Sequence, residues 1–367
     1  MKILFWTNAY APMIGGAEIW ARRYLRALER RGHEIAAIVV ADMEGPVCEN
    51  RLDDIPLLWL PLREAIDRRD PAAFKRALTL AQTAVDRFAP DIVQISNFGV
   101  ASLLLARMLR QRLQRHPLLL TVHNVWPDED AAPGSPLDGI VRSASRIATF
   151  HTSIDEWLRR RWPATAATVI PHAVPPTALP PAAIPNGAPF LFCGRLSPEK
   201  GALTLVDAFA RVIAEAPDAR LLIAGDGVER DQVDAAIRAH RLGHAIARIG
   251  AVQPAGVADL IDRSLAVVIP SFIEGYGLIA AEAAWRARGA IASDVGGLPS
   301  TVVHGRTGLL CPPGDPAALA RSMLALHRSP RRAAELGAAA LQAAGQRPGW
   351  PAHVDAFEHL IEAMIRT

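Results

Sequence analysis

A chain of 367 residues, half of them hydrophobic and 21% charged, has the profile of a globular protein long enough for two domains. Its formal net charge of +3 is too small to argue for nucleic acid. Cys48, Cys193 and Cys311 are odd in number, widely spaced and form no CxxC pair, which supports neither a disulfide framework nor a zinc site and reads as reduced thiols of a cytoplasmic protein.

The N-terminus enters a strand-like segment with no charged leader, apolar core or cleavage site. No stretch approaches the roughly 20 apolar residues that cross a bilayer, so any membrane contact is expected to be peripheral. Ile3–Thr7, Ile35–Val40, Ile92–Ile95 and Leu118–Val122 read as buried strands. Between the first two, Ala17, Ala21, Leu25 and Leu28 share a helical face, and Gly32 stands where a glycine closes a helix. From Pro171 to Pro189 there are seven prolines in nineteen residues, which neither a helix nor a central strand tolerates. The alternation then restarts with Phe190–Cys193, the helix Leu203–Ala214, Ala219–Ala224, the helix Glu229–His240, Leu265–Ile269 and a helix over Ile279–Arg288. The expected division is a Rossmann-like domain over 1–174, a linker over 175–188, a second such domain over 189–350, and a terminal helix over 351–367 that packs back on the first. Two α/β domains of this kind leave a cleft, and open α/β sheets bind ligands at the carboxyl ends of their strands.

Three loops carry chemistry. Gly15-Gly16 opens the first helix, where bare backbone N–H groups and the helix dipole favour an anion; a turn required only by chain geometry is the alternative. Gly194-Arg195-Leu196-Ser197-Pro198-Glu199-Lys200-Gly201 places two cations just past a strand end. Arginine's fork suits phosphate oxygens and lysine adds a point charge, so the pair can neutralise a departing diphosphate. Lys200 is one of three lysines in a chain with 37 arginines. In Glu274-Gly275-Tyr276-Gly277-Leu278-Ile279-Ala280-Ala281-Glu282, two carboxylates bracket a glycine-rich turn at a helix start, an arrangement suited to a ligand with both phosphates and hydroxyls.

These segments, with Ser293-Asp294-Val295-Gly296-Gly297-Leu298-Pro299 and Gly305-Arg306-Thr307-Gly308-Leu309-Leu310, resemble the retaining GT-B glycosyltransferases of family 4, and the Glu-x7-Glu spacing is their most specific feature. The resemblance implies an α/β, GT-B fold of two Rossmann-like domains facing a central cleft, and metal-independent transfer of a hexose-type sugar from a nucleoside diphosphate sugar to an acceptor the sequence does not identify. It implies no cofactor besides that substrate. On this resemblance Glu282 meets the donor ribose, Glu274 holds the transferred sugar, and backbone groups of Gly275, Tyr276, Gly277 and Leu278 contact sugar and diphosphate. Arg195 and Lys200 clamp the diphosphate, with Gly15 and Gly16 completing it across the cleft. Gly194, Gly225 and Val252 line the nucleotide side, and His123 stands beside the reacting centre.

Two departures touch the hinge and the acceptor side: Ile170-Pro171-His172-Ala173-Val174 stands where the family usually has Asn-Gly, and Asn124 follows His123 where aspartate is common. Asp128-Glu129-Asp130 has the spelling of a metal-binding Asp-x-Asp, but sits in a proline-flanked loop. Gly225-Asp226-Gly227 lacks the third glycine of a dinucleotide fingerprint. A nucleotide-sugar epimerase or hydrolase on the same fold, and a non-catalytic nucleotide-sugar-binding scaffold, are the alternative functions. The segment from Arg63 to Arg76, with five cations near Ile66 and Phe74, is a candidate contact with an anionic membrane; Glu64, Asp67 and Asp70 dilute its charge and Pro71 interrupts the helix.

Overall fold

Short apolar strands alternating with amphipathic segments bury both strand faces only inside a sheet that helices cover on both sides. The computed structural model describes residues 1–11, 15–41, 47–62, 66, 68–126, 130–165, 167–176 and 180–366. It builds two such sheets, one in each of two units: Met1–His172 with Pro351–Thr367, and Ala173–Trp350. Each is a Rossmann-like α/β domain.

The first unit runs β1 (Lys2–Thr7), α1 (Gly16–Arg30), β2 (Glu34–Ala41), β3 (Cys48–Leu52), β4 (Ile55–Pro61), α2 (Pro71–Phe88), β5 (Ile92–Ser96), α3 (Val100–Met108), α4 (Arg110–Leu113), β6 (Leu118–Val122), α5 (Pro136–Ser143), β7 (Arg146–Thr149), α6 (Thr152–Arg161) and β8 (Ala167–Val169). Strand order is β3-β4-β2-β1-β5-β6-β7-β8, every pair parallel except β3–β4. Every residue of β5 and β6 is buried, as strands covered on both faces require. Helix α1 ends as its sequence indicates: Gly32 has φ +87°, its N–H reaches Glu29 O, and His33 N–H reaches Leu28 O, the paired bonds of a Schellman cap. The C-terminal helix, Trp350–Ile365, buries Val354, Phe357 and Ile361. Its Glu358 accepts from His33 at 2.7 Å and pairs with Arg31.

The second unit runs β9 (Phe190–Cys193), a 3-10 turn (Pro198–Lys200), α7 (Ala202–Glu215), β10 (Leu221–Ala224), α8 (Arg230–Ala239), β11 (Ile246–Gly250), α9 (Pro254–Asp262), β12 (Ala266–Ile269), α10 (Leu278–Trp285), β13 (Ala290–Ser293), α11 (Leu298–Thr301), β14 (Gly308–Cys311), α12 (Pro316–His327) and α13 (Pro330–Gly345). Its order, β11-β10-β9-β12-β13-β14, is all parallel and is the doubly wound 3-2-1-4-5-6 arrangement. Phe190, Phe192, Leu205, Val206, Phe209 and Val212 form the centre of its core between β9 and α7.

Several boundaries differ from the sequence reading. The strand expected from Ala219 begins at Leu221, because Ala219 N–H closes a turn onto Ala216 O. The helix expected to reach Arg288 stops at Trp285, and Ala287 adopts φ +51°. The β3–β4 hairpin has no apolar signature in its first strand, whose Glu49, Asn50 and Arg51 are exposed. Its turn is Asp53-Asp54, both at positive φ. Pro71 starts α2, with Asp70 accepting from Ala72 and Ala73 N–H, so the Arg63–Arg76 segment straddles a helix start. Residues 63–65 and 67 of that segment lie outside the described residues, as do Asp128 and Glu129 of the Asp-x-Asp spelling.

The proline-rich stretch after residue 172 belongs to the second unit and is bound there. Trp285 Nε1 donates to Val174 O at 3.0 Å, Arg286 to Pro180 O at 2.9 Å, and Arg288 to Ala182 O at 2.9 Å and Ala183 O at 3.2 Å. Prolines offer no N–H, so a segment rich in them presents mainly acceptors, and two nearly buried guanidiniums supply the donors. No helix among the described residues is long and apolar enough to cross a membrane.

Candidate active site

In a doubly wound sheet, the loops leaving two adjacent strands at the point where strand order reverses diverge and open a crevice at their carboxyl ends. In the second unit that point lies between β9 and β12. The loop after β9 carries Gly194, Arg195 and Lys200, and the loop after β12 carries Glu274 to Gly277, with Leu278 the first residue of α10. The topology thus brings together two segments that are 74 residues apart, and Lys200 Nζ sits 2.9 Å from Glu274 Oε2.

Glycines set how closely these loops approach. A Cβ on Gly296 would lie 1.8 Å from Glu274 O, and one on Gly297 would lie 2.1 Å from Gly275 O. Only bare backbone lets the 294–298 loop lie against the 274–277 turn, where Gly297 N–H donates to Glu274 O at 3.1 Å. Thr301 Oγ1 then holds Tyr276 O at 2.9 Å. Gly277, at φ +77°, caps α10 beside Leu298. On the other side a Cβ on Gly225 would meet Gly194 O at 1.8 Å, and Gly225 N–H reaches Gly250 O at 2.7 Å. The first three strand-end loops of this unit are therefore packed backbone to backbone, with Val252 half-buried just beyond Gly250.

The side chains on this frame are paired charges. Glu274 accepts from Lys200 and, at 3.2 Å, from Ser271 Oγ; the Lys200 and Glu274 side chains are 22% and 16% exposed. Arg195 is more exposed and stands 3.9 Å from Glu199 Oε1, which accepts from Ser197 Oγ at 2.6 Å. Glu282, on α10, faces the end of β9: burial, and secondarily the Glu282 charge, push the Cys193 thiol up to about 11. Burial also raises the Tyr276 phenol, against the opposing charge of Arg347.

The first unit holds Gly15, Gly16 and His123. Gly15 is the N-cap of α1, and a Cβ there would lie 2.3 Å from Glu18 Oε2. The helix end expected to receive an anion already carries the chain's own carboxylate, as the dipole favours. His123 follows β6 and bonds Ser96 Oγ through Nε2 at 2.8 Å. Its ring packs against Phe150 at 4.6 Å and edge-on to Trp20 at 5.1 Å. Burial, with the nearby His353 as a second cause, lowers its pKa to about 3, so the imidazole is neutral at physiological pH.

Residues to which the sequence reading gave no role at the site complete both regions. Trp20, Tyr24, Phe150, His172, His353 and Phe357 form one ring cluster with His123. Trp20 Nε1 can only donate, and does so to His353 Nε2 at 2.8 Å; Pro171 O can only accept, and takes Nδ1–H at 2.8 Å. His353 is thereby fixed as a neutral Nδ1–H tautomer, and burial lowers its pKa to about 4. In the second unit Ser197, Glu199, Ser271 and Glu229 were missed; only the position of Glu199 between two cations gave any signal.

Two Rossmann-like domains, the second with a charge-paired, glycine-pinned crevice at its switch point, define an α/β protein of the GT-B type. Residues 182–343 match the model for glycosyl transferases group 1, and residues 15–173 match that for the glycosyl transferase 4-like domain. Each match covers one domain and under half of the chain; together they span most of it and make both domains similar to glycosyltransferases. A glycogen synthase from Mycobacterium tuberculosis is 35% identical over 155 residues, covering 42% of this chain and 37% of that protein. The match thus spans under half of that relative's length. Sucrose-phosphate synthase from Thermosynechococcus elongatus shares the fold over 100% of this chain and 99% of its own, with TM-score 0.84 and 22% identity. The Anabaena protein HepE, solved with UDP and glucose, aligns over 99% of this chain and 100% of its own, with TM-score 0.76 and 19% identity.

Proposed function

We propose that this chain transfers a hexose-type sugar from a nucleoside diphosphate sugar to an acceptor, with retention at the anomeric carbon and without a metal ion. The observation that carries this reading is the Lys200–Glu274 pair at the β9/β12 switch point, flanked by Arg195 and Glu282. The UDP bound by HepE supports a nucleoside diphosphate as the donor's leaving group.

Breaking the anomeric carbon–oxygen bond places positive charge on the sugar and negative charge on the diphosphate. Arg195 and Lys200 stabilise the leaving group, Glu274 holds the sugar hydroxyls, and Glu282 accepts from the ribose. In front-face attack the leaving phosphate oxygen takes the acceptor's proton, so no dedicated base is required. A neutral His123 is suited to hydrogen bonding rather than to carrying charge. The work is done in the cytoplasm, with peripheral membrane contact if the acceptor is a lipid; sedimentation with anionic but not neutral vesicles tests that contact.

The deciding experiment is thermal stabilisation of wild type and Glu282→Ala by UDP, GDP, ADP, TDP and their sugars, with and without magnesium. At about 100 times Kd a native-state ligand contributes roughly 2.7 kcal/mol. The expected result is stabilisation by one nucleotide series, independent of magnesium and lost in the variant. Binding by none of them ends the transferase reading. Free sugar or an epimer formed without acceptor favours a hydrolase or epimerase instead.

A further inference from the structure

In the second unit's crevice each cation has a resident carboxylate. Lys200 is held by Glu274, a residue already assigned to the sugar. Arg195 is held by Glu199, whose carboxylate has no part in the proposed transfer. Glu199 is well anchored for this. Its backbone carbonyl accepts from Phe272 N–H at 2.8 Å and Ile273 N–H at 3.3 Å, which ties it to the loop leading into Glu274. Its Oε1 accepts from Ser197 Oγ at 2.6 Å, which aims the carboxylate toward Arg195. Gly201, at φ +66°, allows this turn to lie against Pro270, where a Cβ would come within 2.1 Å of the carbonyl oxygen.

Behind Glu199 stands a second carboxylate, Glu229, 8% exposed, whose Oε2 has no hydrogen-bond partner among the described residues. The two environments differ in direction. Burial disfavours the charge on both. At Glu199 the Ser197 hydroxyl, its own N–H, Arg195 and Lys200 outweigh burial and lower the pKa. At Glu229 the charge of Glu199 adds to burial and raises it. As pH falls, Glu229 takes a proton first and Glu199 remains the charged member.

We propose that Glu199 is a positioning residue for Arg195: it holds the guanidinium while no nucleotide is bound, yields it to the diphosphate, and takes it back as the nucleoside diphosphate leaves. The proposal rests on the reading of Arg195 as a diphosphate ligand. The geometry suits exchange. At 3.9 Å between half-exposed groups the ion pair is weak, whereas a phosphate offers the same fork two short charge-assisted bonds.

The test is calorimetric titration of the full chain, as wild type, Glu199→Gln, Arg195→Gln and the double variant, with UDP, GDP, ADP and TDP, alongside stopped-flow release of the bound diphosphate. Glu199→Gln is expected to bind the diphosphate about three- to tenfold tighter and release it correspondingly more slowly, because its competitor for Arg195 is gone. In the Arg195→Gln background the same change is expected to alter affinity less than about twofold. Ser197→Ala, which releases the aim of Glu199 without removing charge, should shift affinity the same way by a smaller factor and serves if Glu199→Gln does not fold. Equal or weaker binding by well-folded Glu199→Gln, or an equal gain without Arg195, overturns the role while leaving the transferase reading intact. Failure of wild type to bind any of the four removes both.

Discussion

At the ends of β9 and β12 the second unit gathers opposite charges, Arg195 with Glu199 and Lys200 with Glu274, on loops packed so closely that a Cβ added at Gly225 or Gly296 would lie 1.8 Å from a facing carbonyl oxygen. At the ends of β6 and β7 the first unit gathers rings instead: His123, Phe150, Trp20 and His353, packed at centroid distances of 4.6 to 6.2 Å, with both imidazoles held neutral. The sheets follow the same parallel logic, so the contrast lies in what the strand-end loops and the helices beside them carry. Charges that must meet a ligand's charge stay partly exposed and mutually compensated, since a buried unpaired ion is costly. Rings define shape and dryness and tolerate full burial.

The largest effect should come from breaking a charge pair. Glu274→Ala is expected to lower kcat/KM by at least about a hundredfold, because it removes the proposed sugar contact and leaves Lys200 without its 2.9 Å partner. Turnover of the donor identified by thermal stabilisation measures it, and a loss of only a few-fold would break the contrast between the two units. Next is the glycine frame. Gly296→Ala would place a Cβ 1.8 Å from Glu274 O, so the two loops must part, and should cost roughly 2–4 kcal/mol in denaturant unfolding together with most of the activity. Gly305→Ala sharpens the point: it has positive φ but no neighbour within 4 Å, so only backbone strain of about 1 kcal/mol is expected, with donor binding unchanged.

The ring cluster should respond to pH. His353 and His123 have folded-state pKa values of about 4 and about 3, below the unfolded value of 6.5. The unfolded chain therefore binds more protons as pH falls from about 6.5 toward 4, and stability drains across that window. A loss of a few kcal/mol in the first unit is expected, followed through the environment of buried Trp20; His353→Gln should flatten part of the slope. The smallest effects are shared. Asp70 and Asp315 each cap a proline-led helix by accepting two backbone N–H groups, one in each unit. Replacing either with alanine should lower stability by less than any change above, read in denaturant unfolding, without changing donor affinity.

Legibility divides along the same line. The second unit's loops were readable because glycines, cations and carboxylates lie within short contiguous stretches, so Gly194 to Gly201 and Glu274 to Glu282 announce themselves. Gly296 and Gly297 were legible as residues but not as spacers against Glu274 and Gly275, since a close approach is a three-dimensional fact. The ring cluster was unreadable for the same reason: Trp20 and His353 are 333 positions apart, and each alone looks like an ordinary helix residue. Strand β3 was missed because an exposed antiparallel edge needs no apolar run. Glu229 was passed over because burial of a carboxylate at a helix cap leaves no pattern in composition.

The grip of Arg286 and Arg288 on Pro180, Ala182 and Ala183 bears on how this molecule can be divided. A fragment of the second unit begun at Phe190, where its first strand starts, would strip acceptors from two guanidiniums that are 3% and 1% exposed, and would remove Val174 O from Trp285. Begun at Ala173 it keeps all of them. The prolines that sequence marks as a spacer are, in this sense, the outermost layer of the domain that follows, and a gene cut to express that domain alone has to carry them.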